Sequence, residues 1–355
     1  MRQQRLSLIT SALSIAIVTL ALAGCGDDGK SAGGASAGGA PTDSLVIYSG
    51  REAELVDPLY KKFEKETGIK LDVRYGESPE LAATLAEEGD NTRADVFYAQ
   101  DAGSIGAVEA KGLLAPLPAA VADKVEARYR DGSGKWTGVT GRVRVLVYNT
   151  DRITHGDLPP SVLDLTKPEW KGRVAIAPGN GSFESFVTAM REVLGDKQTE
   201  RWLGDMKANN VQTYEGNSEI VDAVAKGEVD AGLVNHYYLY QLKSERPSAP
   251  VANHFFAAGD VGGLVNVSAA GIVAGATNQA NAEKFITFLL DQGQRFFATE
   301  AEEKEYPLVA GFDGDLPSDL KPLDELDGPD VSLDTLGAGL PETVRMIGDA
   351  GFRGT

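Results

Sequence analysis

Tyr237 and Tyr238 stand side by side just after the apolar run Gly232-Leu233-Val234, where a packed core would not require two phenols. The residues before them read as the end of a buried strand and those from Tyr238 onward as a helix. The pair therefore lies at a strand-to-helix junction, which is where open α/β sheets bind ligands. A phenol ionises near ~10 in water, yet a small, highly charged metal beside it favours the phenolate near neutral pH. Two adjacent phenolates suit a hard trivalent cation. Two rings packed across a hinge explain the pair as well, so residues elsewhere must decide. Other polar residues without an evident structural duty also fall at junctions: 49–52, Gln100 and Asp101, Tyr148, 180–182, Asn217 and 235–238. On two facing α/β lobes such junctions converge on one cleft.

The elements that must position these residues alternate between two periods. Short apolar runs at 45–48, 70–75 and 96–98 are separated by helical spacing at Leu55, Leu59 and Phe63 and again at Leu81 and Leu85. Strand, helix, strand, helix, strand predicts βαβ units and a mostly parallel sheet. A second set runs from Arg144: strands at 145–148 and 174–177, a helix opening near Ser182, another through Trp202, and a helix at 217–226. Gly227 is placed to end that last helix in a left-handed turn, and Asp101 reads as an N-cap. A strand at 269–273, a helix at 282–290, a Gly/Pro/Asp-rich stretch at 311–330 and a short helix at 342–349 complete the reading. The chain from Leu45 onward is longer than one core usually covers, so two lobes are expected.

Residues 1–24 carry Arg2 and Arg5, then an uncharged apolar run, then Leu22-Ala23-Gly24-Cys25. This pattern is an export signal rather than a fold element. Its end matches a bacterial lipobox, in which Cys25 takes the lipid, palmitate among its acyl groups, and becomes the mature N-terminus. Cys25 is the chain's one cysteine, so no disulfide forms within the chain. Residues 26–44, GDDGKSAGGASAGGAPTDS, are too poor in apolar surface to fold and read as a tether. The expected location is extracytoplasmic, lipid-anchored to the cell membrane.

The net charge of −18 argues against nucleic acid and against holding anionic lipid through charge, which leaves the acyl anchor. The three histidines, His155, His236 and His254, include no two at metal-ligand spacing, and from Leu45 onward there is no G-x-S-x-G elbow or P-loop. That weighs against an extracytoplasmic metal-dependent hydrolase. A binding protein for an oxyanion or an organic cation, with the tyrosines as an aromatic cage, stays open. Gly179-Asn180-Gly181-Ser182 ahead of a helix exposes backbone N–H groups suited to an anion, although alone such a loop is usually a turn.

Tyr48-Ser49-Gly50-Arg51, Ala94-Asp95-Val96-Phe97-Tyr98, Gly141-Arg142-Val143-Arg144-Val145-Leu146-Val147-Tyr148, Trp170-Lys171-Gly172, Gly227-Glu228-Val229-Asp230, His236-Tyr237-Tyr238 and Glu305-Tyr306-Pro307-Leu308 together resemble the bacterial ferric-iron-binding proteins, or bacterial transferrins. These are solute-binding components of iron ABC importers. The resemblance runs in order from Leu45 to Leu308. It implies a type II periplasmic-binding-protein fold, α/β and two-lobed, with the cleft between lobes joined by two crossing strands. The lobes would be 45–143 with 268–312 and 144–267 with 313–355. It implies Fe3+ as the carried ion, delivered by a monomer to a permease and its ATPase. Tyr237 and Tyr238 match the family's paired ligands, and Tyr148 matches a third tyrosine of one subgroup. Glu52 stands where another subgroup has a histidine, and Gln100 where it has a glutamate. These departures favour a three-tyrosine scheme, with Glu52 as a further carboxylate or merely a helix-end charge and Gln100 behind the ligands. Asn180, Gly181 and Ser182 align with the loop for the synergistic anion, carbonate or phosphate, and Asn217 and Asn235 with its asparagine contacts. Arg142 or Arg144 would hold the anion through a guanidinium fork or else form a surface ion pair.

Overall fold

The computed structural model describes residues 44–318 and 320–352; the export signal, Cys25 and the tether lie outside them. The chain opens as expected, with β1 (Ser44–Ser49), α1 (Ala53–Thr67), β2 (Lys70–Tyr75), α2 (Ser78–Glu88), β3 (Val96–Ala99) and α3 (Ala102–Glu109). The apolar spacing in α1 puts Val56, Leu59, Tyr60 and Phe63 on one buried face. Gly68, at φ 75°, ends that helix. Asp101 caps α3 by accepting from the Ser104 N–H at 2.8 Å. A short β4 (Leu114–Ala115) and α4 (Ala119–Ala122) lead into β5 (Trp136–Asn149).

The second set comprises β6 (Val174–Ile176), α5 (Gly181–Leu194), α6 (Asp196–Ala208), β7 (Gln212–Thr213), α7 (Asn217–Lys226), β8 (Ala231–Asn235), α8 (Tyr238–Glu245) and β9 (Val251–His254). Gly227 closes α7 at φ 72°. The chain then returns through β10 (Val265–Val273), α9 (Gln279–Phe288), β11 (Tyr306–Pro307) and α10 (Leu333–Asp349). Among the described residues no helix is long and apolar enough to cross a membrane.

The sheet runs β2-β1-β3-β10-β5-β8-β6-β7. The pairs β1–β2 and β1–β3 are parallel, as are β6–β7 and β6–β8. β10 is antiparallel to β3 and β5, and β5 is antiparallel to β8. β5 is buried along its whole length and changes partners midway. Val143 is its last residue opposite β10, facing Val265, and Arg144 its first opposite β8, facing Asn235.

β5 and the last helix each begin well before the sequence suggests. β5 starts at Trp136 rather than Val145, because Thr137-Gly138 and Thr140-Gly141-Arg142 dilute the apolar pattern that marks a buried strand. Gly138 is needed there: a Cβ would lie 2.5 Å from the Tyr129 carbonyl oxygen. The last helix starts at Leu333 rather than 342 and continues through Pro341, since Gly337, Gly339 and Pro341 read locally as a loop. The glycines have a packing reason. A Cβ on Gly337 would stand 2.1 Å from the backbone carbon of Gly106 in α3, so the two helices touch backbone to backbone. Gly337→Ala should therefore destabilise the protein by about 1–3 kcal/mol, read as a lower midpoint in urea; an unchanged midpoint would show that the helices separate freely.

Candidate metal centre

β8 delivers its last residue, Asn235, to the junction, His236 and Tyr237 make the turn, and Tyr238 opens α8. Both tyrosines are buried, with ring centroids 4.3 Å apart and planes inclined by 31°. Gln100, just past the end of β3, donates from one nitrogen to both phenol oxygens, at 3.2 Å to Tyr237 and 3.3 Å to Tyr238. The two oxygens thus converge on one point. Burial, with the neighbouring Tyr237 and Glu52, pushes the Tyr238 phenol well above its usual range. Ionisation there requires an incoming positive charge.

His236 is a prop rather than a donor to that point. It is buried, its Nδ1 accepts from the Val143 N–H at 3.3 Å, and its Nε2 lies 3.2 Å from the Lys304 carbonyl oxygen. One nitrogen accepts, so the other carries the proton. Burial lowers its pKa to about 4, so the ring is neutral.

Behind Gln100 sits a buried ionic network. Glu305 receives the Arg51 guanidinium at 2.7 and 3.2 Å, Arg142 at 2.9 Å and the Thr140 hydroxyl. Burial raises the Glu305 pKa, but Arg142 and Arg51 outweigh it and hold the carboxyl down at about 2. Arg142 also donates to the Gln100 carbonyl, and its guanidinium lies 5.7 Å from the Tyr237 ring centroid.

Arg144 has a different setting. Its guanidinium donates to Ser182 Oγ at 3.0 Å and to the Leu233 carbonyl at 2.9 Å, and its Nε, also buried, has no partner among the described residues. Burial lowers its pKa to about 9, opposed by the Tyr238 and Tyr237 charges. Asn180 caps α5, its Oδ1 accepting from the Ser182 N–H at 3.1 Å, from Ser182 Oγ at 2.6 Å and from Asn217 Nδ2 at 3.2 Å. Asn217 Oδ1 and Asn235 Nδ2 are buried and unpartnered among the described residues. Gly181 keeps this loop tight against α3, for a Cβ would meet the Asp101 carboxylate at 2.8 Å. A buried cation with orphaned donors at a helix N-terminus suits a small oxyanion.

The model of the bacterial extracellular solute-binding protein family matches residues 91–323. The chain belongs to this family. Among similar proteins, the Fe(3+)-binding periplasmic protein of Serratia marcescens is 36% identical over 311 residues, 87% of this chain and 90% of the relative. Iron-bound HitA from Pseudomonas aeruginosa superposes with a TM-score of 0.82 at 35% identity, covering 87% of this chain and 99% of that one. A Trichodesmium protein in complex with iron and citrate ligands (IdiA, FutA) gives 0.73 at 29% identity, with 87% and 100% covered. The architecture is accordingly the two-lobed type II periplasmic-binding-protein fold, with its cleft between lobes joined by crossing strands.

Within this solute-binding protein, the sequence-selected residues separate into three groups. Tyr237, Tyr238 and Gln100 meet. Arg144, Asn180, Ser182 and Asn217 meet beside them, with Asn235 opposite Arg144 in the sheet. Glu52 ends the loop before α1, makes no capping bond, and acts electrostatically on Tyr238; burial, with Glu54 and Glu219, raises its pKa against Arg51.

One expectation needs correction. Tyr148 is not brought to the pair. It faces Ala231, at the far end of β8 from the tyrosines, and packs into the apolar core, so the three-tyrosine arrangement does not form. Arg142 is held differently from Arg144: its Nη donors are engaged by Glu305 and the Gln100 carbonyl, while its buried Nε, like that of Arg144, has no partner among the described residues. Neither arginine is a surface ion pair, since both are buried. Sequence reasoning marked Arg51 only among the junction residues 49–52 and in a matching motif, and Glu305 only in a matching motif; it did not pair the two, which lie 254 residues apart.

The Glu305 network sets an acid response. With its folded pKa held below the ordinary 4.5, the unfolded chain takes up the proton first as pH falls. The stabilisation, about 3 kcal/mol, is therefore full above about pH 4.5 and lost as pH falls toward 2. Glu305→Gln should lower stability at pH 7 by about 3–5 kcal/mol and flatten this acid limb. Parallel acid limbs in urea titrations of the two proteins would rule Glu305 out as the group.

Proposed function

We propose that this protein binds ferric iron outside the cytoplasm and delivers it to the permease and ATPase of an ABC importer, without catalysing a reaction. Support comes first from the convergence of two phenol oxygens on a single Gln100 nitrogen, and second from relatives whose names state that they bind Fe(3+). Phenolates from Tyr237 and Tyr238 hold the ion, Glu52 adds a carboxylate oxygen from the other side of the cleft, and an oxyanion such as carbonate or phosphate completes the sphere. The anion rests against Arg144, the Asn180-Gly181-Ser182 turn, Asn217 and Asn235, with Gln100 behind the phenolates. Residues 45–143 with 268–312 form one lobe and 144–267 with 313–355 the other, a division supported by the partner exchange of β5 between Val143 and Arg144. Closure about that exchange excludes water from the ion. The protein acts as a monomer held to the membrane through lipid on Cys25.

Tyr237→Phe and Tyr238→Phe each delete one anionic ligand with little change in volume. Each should weaken ferric binding by more than the roughly 10–100-fold typical of a change behind the ligands, measured by competition with a chelator, while Tyr148→Phe stays near wild type. Wild-type affinity in Tyr237→Phe would sink the assignment. For the anchor, Cys25→Ala should abolish lipid labelling and move the protein from the detergent phase to the aqueous phase; an intact lipid on the variant would disprove the lipobox.

A further inference from the structure

We propose that the dipeptide Lys304-Glu305, which touches neither phenol, positions the metal site from behind by fixing both the tyrosine pair and the amide that spans it. The proposal rests on the ferric reading of the Tyr237–Tyr238 site and names the residues that hold its geometry. Two routes lead from the dipeptide to the phenol oxygens. On one, Glu305 holds Arg142 at 2.9 Å, Arg142 holds the Gln100 carbonyl, and the Gln100 side chain reaches both phenols. On the other, the Lys304 carbonyl takes the His236 ring nitrogen at 3.2 Å, and His236 is the residue that precedes Tyr237 and packs edge-on against it at 5.8 Å. The amide and the backbone that carries the phenols are thus referenced to adjacent residues.

The backbone at this dipeptide is itself unusual. Lys304 has φ 55°; among the described residues the only other non-glycine residue with positive φ is Asn210. Asparagine tolerates that region, whereas lysine has no local side-chain compensation for it. Such a conformation persists only where its surroundings over-determine it. Here they do: Glu305 is completely buried, clamped by Arg51 as well as Arg142, and its N–H is tied to the Phe297 carbonyl at 3.1 Å, while the Lys304 ammonium donates to the Thr299 carbonyl at 2.8 Å. The left-handed turn allows the Lys304 carbonyl to face His236 while the next side chain enters the ionic network.

The experiment uses the intact protein loaded with ferric iron from ferric nitrilotriacetate. Three quantities are read: the visible phenolate-to-iron band, iron removal by a competing chelator, and far-UV circular dichroism. Glu305→Gln keeps the size of the side chain but removes the negative charge and one of the two acceptor oxygens that hold the guanidinium groups. Arg142→Lys keeps a charge beside Glu305 but loses the fork that reaches Gln100, and it decides the question alone if Glu305→Gln does not fold. Folded variants should bind iron about 10–100-fold more weakly and show a shifted band, because the phenolate geometry has changed. A wild-type band and affinity in the folded variants would overturn the proposal, as would weaker binding with an unmoved band, which marks a general loss of stability. Absence of the band in the wild-type protein with iron would instead defeat the ferric reading.

Discussion

Between Val143 and Arg144 one continuous strand releases β10 and takes up β8, and the two arginines that flank this exchange acquire opposite environments. Residues two apart on a strand face the same way, so Arg142 and Arg144 both enter the interior on the side of the tyrosines. On the β10 side, Arg142 meets a carboxylate and becomes part of a buried ionic network. On the β8 side, Arg144 meets a hydroxyl, a carbonyl and two aromatic rings, but no carboxylate within ion-pair distance among the described residues. One strand thus supplies a fixed structural charge and a charge left for a ligand, about two residues apart.

The distinction is energetic. A buried carboxylate with two guanidinium partners and a hydroxyl has its charge matched in place, and breaking such a set leaves an uncompensated ion in a medium of low polarity. A buried guanidinium without a carboxylate partner keeps its proton less firmly, hence the fall in the Arg144 pKa to about 9. Two phenols lie close enough to influence it, and burial keeps that of Tyr238 from ionising readily while the cleft lacks a cation. Metal and anion are therefore coupled in the proposed bound state: the cation favours the phenolates, the phenolates favour a fully charged Arg144, and that charge favours an oxyanion beside the metal.

The parts of this arrangement legible in the sequence are those fixed by local chemistry. The strand-to-helix junction at Tyr237, the cap at Asp101, the stop at Gly227 and the turn at 180–182 each depend on a few consecutive residues. What was not legible depends on register and on distant pairing. Tyr148 stands at the end of an apolar run, as a ligand at a junction would, but antiparallel pairing sends it toward the start of β8 while the tyrosines lie beyond its end. Nothing local to Arg142 reveals that its partner lies 163 residues later, and nothing local to Gly337 reveals a helix surface built to receive it. Polar letters inside β5 hid most of that strand, because their partners are likewise distant.

The neutral residue at position 100 fits the same electrostatics. In the proposed ferric state two phenolates and the Glu52 carboxylate already balance a trivalent ion, and Arg144 balances one charge of the anion. A carboxylate at position 100 would add a further anionic group beside the ion, facing the Arg51–Glu305–Arg142 set, in which two guanidinium groups share one carboxylate. An amide there instead donates to both oxygens, an interaction that strengthens when phenol becomes phenolate. Gln100 can therefore hold the pair together before the ion arrives and stabilise it afterwards, without competing for a place on the metal. Its own backbone is anchored by Arg142, so this bridge to the two phenols depends on the buried carboxylate of Glu305.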